Sequence, residues 1–110
     1  MQLITKELAK KIPLIWKQEA LKKEAICYLH YFYGSRDWYV LEYDWENEFF
    51  GIVIWEDIEY WPFYLSEFKD INKRAWYPRI ERDMYWNKCE VWQIEKLKDF
   101  LSSMRDENED

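Results

Sequence analysis

The 110-residue chain has one histidine, His30, in the middle of the aromatic run Tyr28-Leu29-His30-Tyr31-Phe32. An imidazole beside a carboxylate can act as a general base, and the acids that could serve it are Glu81 and Asp83 in the run Ile80-Glu81-Arg82-Asp83. Strand alternation puts Glu81 and Asp83 on one face and Arg82 on the other. Two carboxylates at that spacing can share a proton or a metal ion. The structural reading is favoured, in which they pair with lysines of the N-terminal segment, because ion pairs also produce such clusters. A zinc site needs Cys or further His at ligand spacing, and none stands near His30. His30 is therefore expected to be a hydrogen-bonded structural residue. Glycine-rich phosphate loops, Cys-x-x-Cys pairs and nucleophile elbows are missing from the sequence. No catalytic residue, metal or cofactor is assigned. Glu81, Asp83 and His30 are kept as the candidates of an alternative reading, a small-ligand binder or hydrolase-like enzyme.

A second group of residues could bind rather than react. Glu42, Asp44, Glu46, Glu48, Glu56, Asp57 and Glu59 sit on or beside neighbouring turns. They fall toward opposite ends of one strand, so they do not converge as an oxygen-ligated cation requires. Eight Trp and nine Tyr exceed what one small core needs. Trp38, Trp45, Trp55, Trp61, Trp76, Trp86 and Trp92 cannot all point inward. Tyr and Trp are favoured at protein interfaces, having an apolar body and a polar tip. Stacking of single-stranded bases normally needs a basic groove, and acids flank these strands instead. The partner-binding candidates are Asp44, Trp45, Glu46, Glu48, Glu56, Asp57 and Glu59. A homodimer would also cover surplus rings.

The charge distribution points the same way. The chain carries a net charge of −6. Residues 37–70 hold ten acids and one lysine, whereas residues 1–24 hold six lysines and three acids. Such a field repels phosphates from most of the surface and favours a basic protein partner. No apolar run is long enough to span a bilayer, and the N-terminus lacks the apolar centre of a signal peptide, so a cytoplasmic location is expected. Cys27 and Cys89 are read as reduced thiols, because a disulfide framework needs more cysteines in a shorter, exported chain.

The elements that must position these residues follow from periodicity. Thr5 caps a helix from Lys6 to about Ile12, which Pro13 ends. Strands are expected over Ala25–Tyr33, Trp38–Tyr43, Phe49–Trp55, Glu59–Leu65 and Arg79–Trp86, with Gly34-Ser35-Arg36-Asp37 as the first turn. In the second strand Trp38, Val40 and Glu42 share one face, and Tyr39, Leu41 and Tyr43 the other. Gly51 marks a bulge or a close contact, and Pro62 an edge strand or a bulge. Ser66 is expected to cap a helix from Glu67 to about Lys73. Val91, Ile94, Leu97, Leu101 and Met104 form one apolar stripe and predict a helix from about Glu90 to Met104. The expected fold is α+β: a single domain over residues 1–104, an antiparallel meander of about five strands, a short N-terminal helix and a C-terminal helix packed on the sheet. Residues 105–110 read as a flexible acidic tail.

Several runs are familiar in this order: Leu3-Ile4-Thr5-Lys6-Glu7-Leu8, Trp38-Tyr39-Val40-Leu41-Glu42-Tyr43-Asp44, Phe49-Phe50-Gly51-Ile52-Val53, Phe63-Tyr64-Leu65-Ser66-Glu67-Phe68 and Pro78-Arg79-Ile80-Glu81-Arg82-Asp83-Met84-Tyr85-Trp86. Together they resemble a family of small bacterial proteins catalogued as domain of unknown function 2958. The resemblance covers about residues 1–88. It departs in the more aromatic Tyr60-Trp61-Pro62-Phe63-Tyr64 and in the C-terminal extension. It implies a context of plasmids, integrative elements and phages, and it implies no reaction. With the charge pattern, it leads to the expectation of a non-catalytic, protein-binding or inhibitory protein of mobile-element, anti-defence type.

Overall fold

The computed structural model of the chain describes residues 2–75 and 79–102. Thr5 opens helix α1 (Lys6–Lys11), its hydroxyl accepting the Leu8 N–H at 3.2 Å. Glu7 in the first turn and Lys10 and Lys11 in the last suit the helix dipole. Ile12 is extended, as the residue before a proline prefers, and the helix stops there. After a turn, Glu19–Glu24 forms short 3-10 turns broken at Lys22, whose φ is 50°.

The first expected strand is two strands, β1 (Ile26–Cys27) and β2 (Leu29–Tyr33). After them come β3 (Arg36–Tyr43), β4 (Glu48–Ile54), β5 (Ile58–Tyr64), helix α2 (Leu65–Arg74), β6 (Glu81–Arg82) and β7 (Cys89–Glu90). Antiparallel strands β5-β4-β3-β2-β6 make one five-stranded sheet, and β1 pairs with β7. The α+β meander expected from sequence is therefore present. Its first turn is tighter than expected. Tyr33 pairs with Arg36, so the loop is Gly34-Ser35 alone, and Gly34 takes the left-handed φ of 60° that such hairpin loops need.

Strand β3 carries the main irregularity. Val40 pairs with Gly51, but Glu42 pairs with Phe50, so Leu41 is an extra residue. A bulge moves every later side chain to the other face. Tyr43 therefore joins Trp38 and Val40 in one core, not Tyr39 and Leu41 as simple alternation predicts. The bulge needs Gly51: a Cβ there would collide with the Tyr39 backbone carbonyl. Glu42 now faces the 13–25 segment. Its Oε1 accepts the Trp16 N–H at 2.9 Å and its Oε2 the Gln18 N–H at 2.7 Å. The Gln18 amide completes the clasp, donating to the Ile26 and Leu41 carbonyls and accepting the Ile26 N–H.

Both sheet faces are covered. On one, α1 and α2 close over Tyr31, Trp38, Val40, Tyr43, Phe49 and Phe63, with Phe68 of α2 edge-on to Trp38 at 5.0 Å and to Tyr31 at 5.1 Å. On the other, Tyr39, Leu41 and Ile52 lie under Val91, Ile94, Leu97 and Leu101. That second cover is not the expected helix over Glu90–Met104. Glu90 is extended in β7, Val91–Gln93 and Glu95–Leu97 are 3-10 turns, and residues 98–102 are α-helical. Val91, Ile94 and Leu97 recur at steps of three, the period of a 3-10 turn, so the same stripe serves either geometry. The Val91 N–H donates to the Ala25 carbonyl, which ties this segment to β1. Met104 and the acidic tail fall outside the described residues.

Two further expectations are corrected. Ser66 is not the cap of α2, which begins one residue earlier at Leu65. Asn47, from the β3–β4 turn, caps it instead. Its backbone carbonyl accepts the Leu65 N–H and its side-chain Oδ1 accepts the Ser66 N–H at 2.8 Å. The expected fifth strand shrinks to Glu81–Arg82, because Trp86 N–H folds back to the Asp83 carbonyl and ends the extension. Strand β5 is the sheet edge, and Pro62 sits where its missing N–H would face outward, which discourages further strand pairing.

Gly51→Ala should cost roughly 3 kcal/mol in urea denaturation, at the upper end for overpacking, because backbone rather than a side chain must yield. Asn47→Ala should cost about 1 kcal/mol, as loss of a helix cap does, in the same measurement.

Candidate functional site

His30 projects from β2 onto the Tyr39 ring, with centroids 4.7 Å apart and planes within 9°. Both ring nitrogens are engaged. Nδ1 lies 3.0 Å from Asp83 Oδ2, and Nε2 lies 2.6 Å from Asp37 Oδ1. Lys96 Nζ donates to the other Asp37 oxygen at 2.9 Å. Only the doubly protonated imidazole can donate to both carboxylates at once. Asp37 is 1% exposed, and burial pushes its carboxyl up. The hydrogen bonds and charges of His30 and Lys96 outweigh that and hold it below the usual value. This row joins β2, β3, the turn after β6 and the C-terminal segment. No ring nitrogen is left to take a proton from a third group, so the arrangement holds charge in place.

Asp83 thus meets His30, not the N-terminal lysines. Its Oδ1 accepts the Tyr85 N–H at 3.0 Å. Glu81 shares its sheet face but is exposed and outside the row. Asp37 and Lys96 were not singled out from sequence. Placing Asp37 in the turn hid it. A two-residue turn would have paired His30 with Tyr39 and put Asp37 diagonally beside it. Nothing in the local sequence announces Lys96, which arrives from the far end of the chain. Among the described residues no group of three or more His, Cys, Asp or Glu could hold a metal ion. Cys27 and Cys89 are free thiols paired across β1 and β7, both pushed up by burial, Cys27 also by Cys89.

The acidic candidates separate into two groups, one at each end of β4. Asp44, Trp45, Glu46 and Glu48 lie at its start. Asp44 is occupied there: its Oδ1 accepts the N–H groups of Glu46, Asn47 and Glu48 at 2.7–2.9 Å. Burial raises this carboxyl, and those N–H groups together outweigh it and bring it below its usual value. Trp45, in a left-handed turn position with φ 67°, donates its Nε1–H to the Ile12 carbonyl at 2.8 Å. These two residues build the turn that also supplies Asn47.

Glu56, Asp57 and Glu59 lie at the other end, on the β4–β5 hairpin tip. With Val53, Trp55 and Trp61 they line a shallow depression of about 290 Å³. Glu59 and Trp61 share a sheet face with Phe63. Helix α2 covers Phe63 but leaves the tip bare, and Trp55 and Trp61 are 51% and 59% exposed. Trp55 is held edge-on to buried Trp38 at 6.4 Å, and the Arg36 guanidinium lies 3.6 Å over its ring. The Trp55 indole is thus fixed at its inner edge and wet at its outer edge, and the Trp61 indole stands exposed beside it. Trp16, Trp45 and Trp92 are also about half exposed or more, so the surplus of rings is a surface property. Trp38 is buried, and Trp76 falls outside the described residues.

No family model, no curated protein and no solved structure matches the chain. Among the described residues no helix is long and apolar enough to cross a membrane.

Asp37→Ala should cost about 3 kcal/mol, as breaking a buried ion pair does, whereas Lys96→Ala, at a half-exposed ammonium, should cost less than about 1 kcal/mol. Because the folded Asp37 carboxyl lies below its unfolded value of about 4, its contribution is present above that pH and lost as pH falls through the folded value. The urea midpoint of the native chain should therefore drop on acidification below about pH 4, and the Asp37→Ala midpoint should drop less.

Proposed function

We propose that this protein is a non-catalytic, cytoplasmic binding protein that docks a basic protein surface through the β4–β5 tip. Trp55 and Trp61 are the anchors, and Glu56, Asp57 and Glu59 are the charged rim. The observation that carries this reading is the pair of half-exposed indoles, Trp55 held against the core, beside three exposed acids around one depression. Anchored rings lose little freedom on binding, which suits them as hot spots. Charges at the rim steer a basic partner and reject phosphate-rich ones. The start of β4 plays a lesser part, since Asp44 and Trp45 already serve the fold. By analogy with small acidic proteins of mobile elements, the partner in this reading is a host nuclease or DNA-binding complex, inhibited by phosphate-like charge presented to its basic groove.

The test is affinity capture from the native host at several ionic strengths, beside two variants. A basic protein should be retained by the native chain and weaken as salt rises. The charge-reversed variant Glu56→Lys/Asp57→Lys/Glu59→Lys should lose it. Trp61→Ala should lose about 2 kcal/mol of binding, the scale of an interface anchor. Retention that ignores both variants would place the working surface elsewhere. Self-association of the native chain abolished by the same variants would make a second copy the occupant of the tip.

A further inference from the structure

The sheet face opposite α1 and α2 carries a separate cavity of about 250 Å³. Three rings line it: Trp16 from the segment after α1, Phe50 of β4 and Tyr60 of β5. Phe50 is central, 5.7 Å from Trp16 and 6.3 Å from Tyr60 between centroids. The Glu42 side chain also lines the cavity and is only 3% exposed. Its oxygens accept two backbone N–H groups, but among the described residues no Lys, Arg or His pairs with it. The Tyr60 hydroxyl is buried and has no hydrogen-bond partner among the described residues.

The buried Glu42 carboxylate is costly without an occupant. A carboxylate buried without a counter-cation is unfavourable, and so is an orphaned buried hydroxyl. The backbone is also strained here. Trp16 and Lys22, both lining residues, have left-handed φ values of 75° and 50°. Strain of this kind collects at ligand clamps. The Trp16 conformation keeps its indole at the mouth, 64% exposed and packed on Phe50 rather than buried.

We propose that this cavity binds a small organic cation of the alkylammonium class, its N-methyl groups against the three rings and its charge facing Glu42. The volume is below the ~300–1,000 Å³ of pockets for drug-sized ligands, so the ligand is small. Aromatic faces attract ammonium groups, most strongly where water is excluded. Glu42 supplies the opposite charge, and exposed Glu19 at the lining adds to it. Exposed Lys22 is the lining cation, and it leaves Glu42 unpaired. The site is independent of the hairpin tip and lies on the other side of the sheet.

The test is a titration of the whole chain with choline chloride, and separately with its uncharged isostere in which carbon replaces the quaternary nitrogen. Two-dimensional NMR and tryptophan fluorescence report binding, with sodium chloride at matched ionic strength as the control. Saturable choline binding is expected, with shifts centred on Trp16, Phe50 and Tyr60, and about tenfold tighter than the isostere. Trp16→Ala removes an exposed ring and should leave the fold intact while weakening choline about tenfold. Glu42→Gln should remove the preference for charge, with a thermal melt to establish that it folds. Equal binding of choline and isostere, unchanged binding by Trp16→Ala, or no saturable choline binding would each overturn the proposal.

Discussion

The close approach of Gly51 to the Tyr39 carbonyl governs the rest of the structure. It leaves room for one extra residue in β3, and that residue, Leu41, reverses the direction of everything after it. Tyr43 turns into the helix-covered core, where it stacks on Phe49 at 4.5 Å. Glu42 turns the other way and anchors the 13–25 segment through the Trp16 and Gln18 N–H groups. Without that reversal a carboxylate would enter an aromatic core, and the segment carrying Trp16 would lose its two hydrogen bonds to Glu42. One missing side chain thus determines a core, a clasp and a cavity.

Polar groups in this protein do different work according to what holds them. Asp37, His30 and Asp83 are enclosed in a row that uses every ring nitrogen, and a row so saturated is architectural. Asp44 is likewise spent on three backbone N–H groups. Glu56, Asp57 and Glu59 stay exposed at the hairpin tip, where β4 ends and β5 begins. An excess of carboxylate spread along the sequence becomes a local surface property because turn chemistry consumes part of it.

Aromatic residues divide by the same rule. Tyr31, Trp38, Phe49, Phe63 and Phe68 form a chain of tilted, edge-on and stacked contacts at α2. The chain runs outward through Trp38 to Trp55, so the exposed indole is continuous with the core. A rigid route from core to surface gives a preorganised anchor. Trp16 and Phe50 are the counterpart on the opposite face, held by the clasp at Glu42.

Periodicity and turn chemistry in the sequence were enough for α1 with its Thr5 cap, four meander strands and the special places of Gly51 and Pro62, the latter left between edge and bulge. These depend on neighbours in the chain, and local sterics express themselves locally. The surplus of tryptophan was countable for the same reason. Register was a different matter. A bulge is a contest between two strands, so the side of Tyr43 and Glu42 could not be read from β3 alone. Asp37 and Lys96 converge on His30 only after three distant segments dock. The stripe Val91-Ile94-Leu97 fits a 3-10 turn or an α-helix, and pairing with β1 chose between them. Asn47, not Ser66, caps α2 because a turn residue nineteen positions before Ser66 folds against it. The amino-acid order determined which residues were apolar, charged or unable to be helical. Tertiary packing decided which charges are enclosed and which indoles stay wet, because burial belongs to neighbours that sequence distance does not reveal.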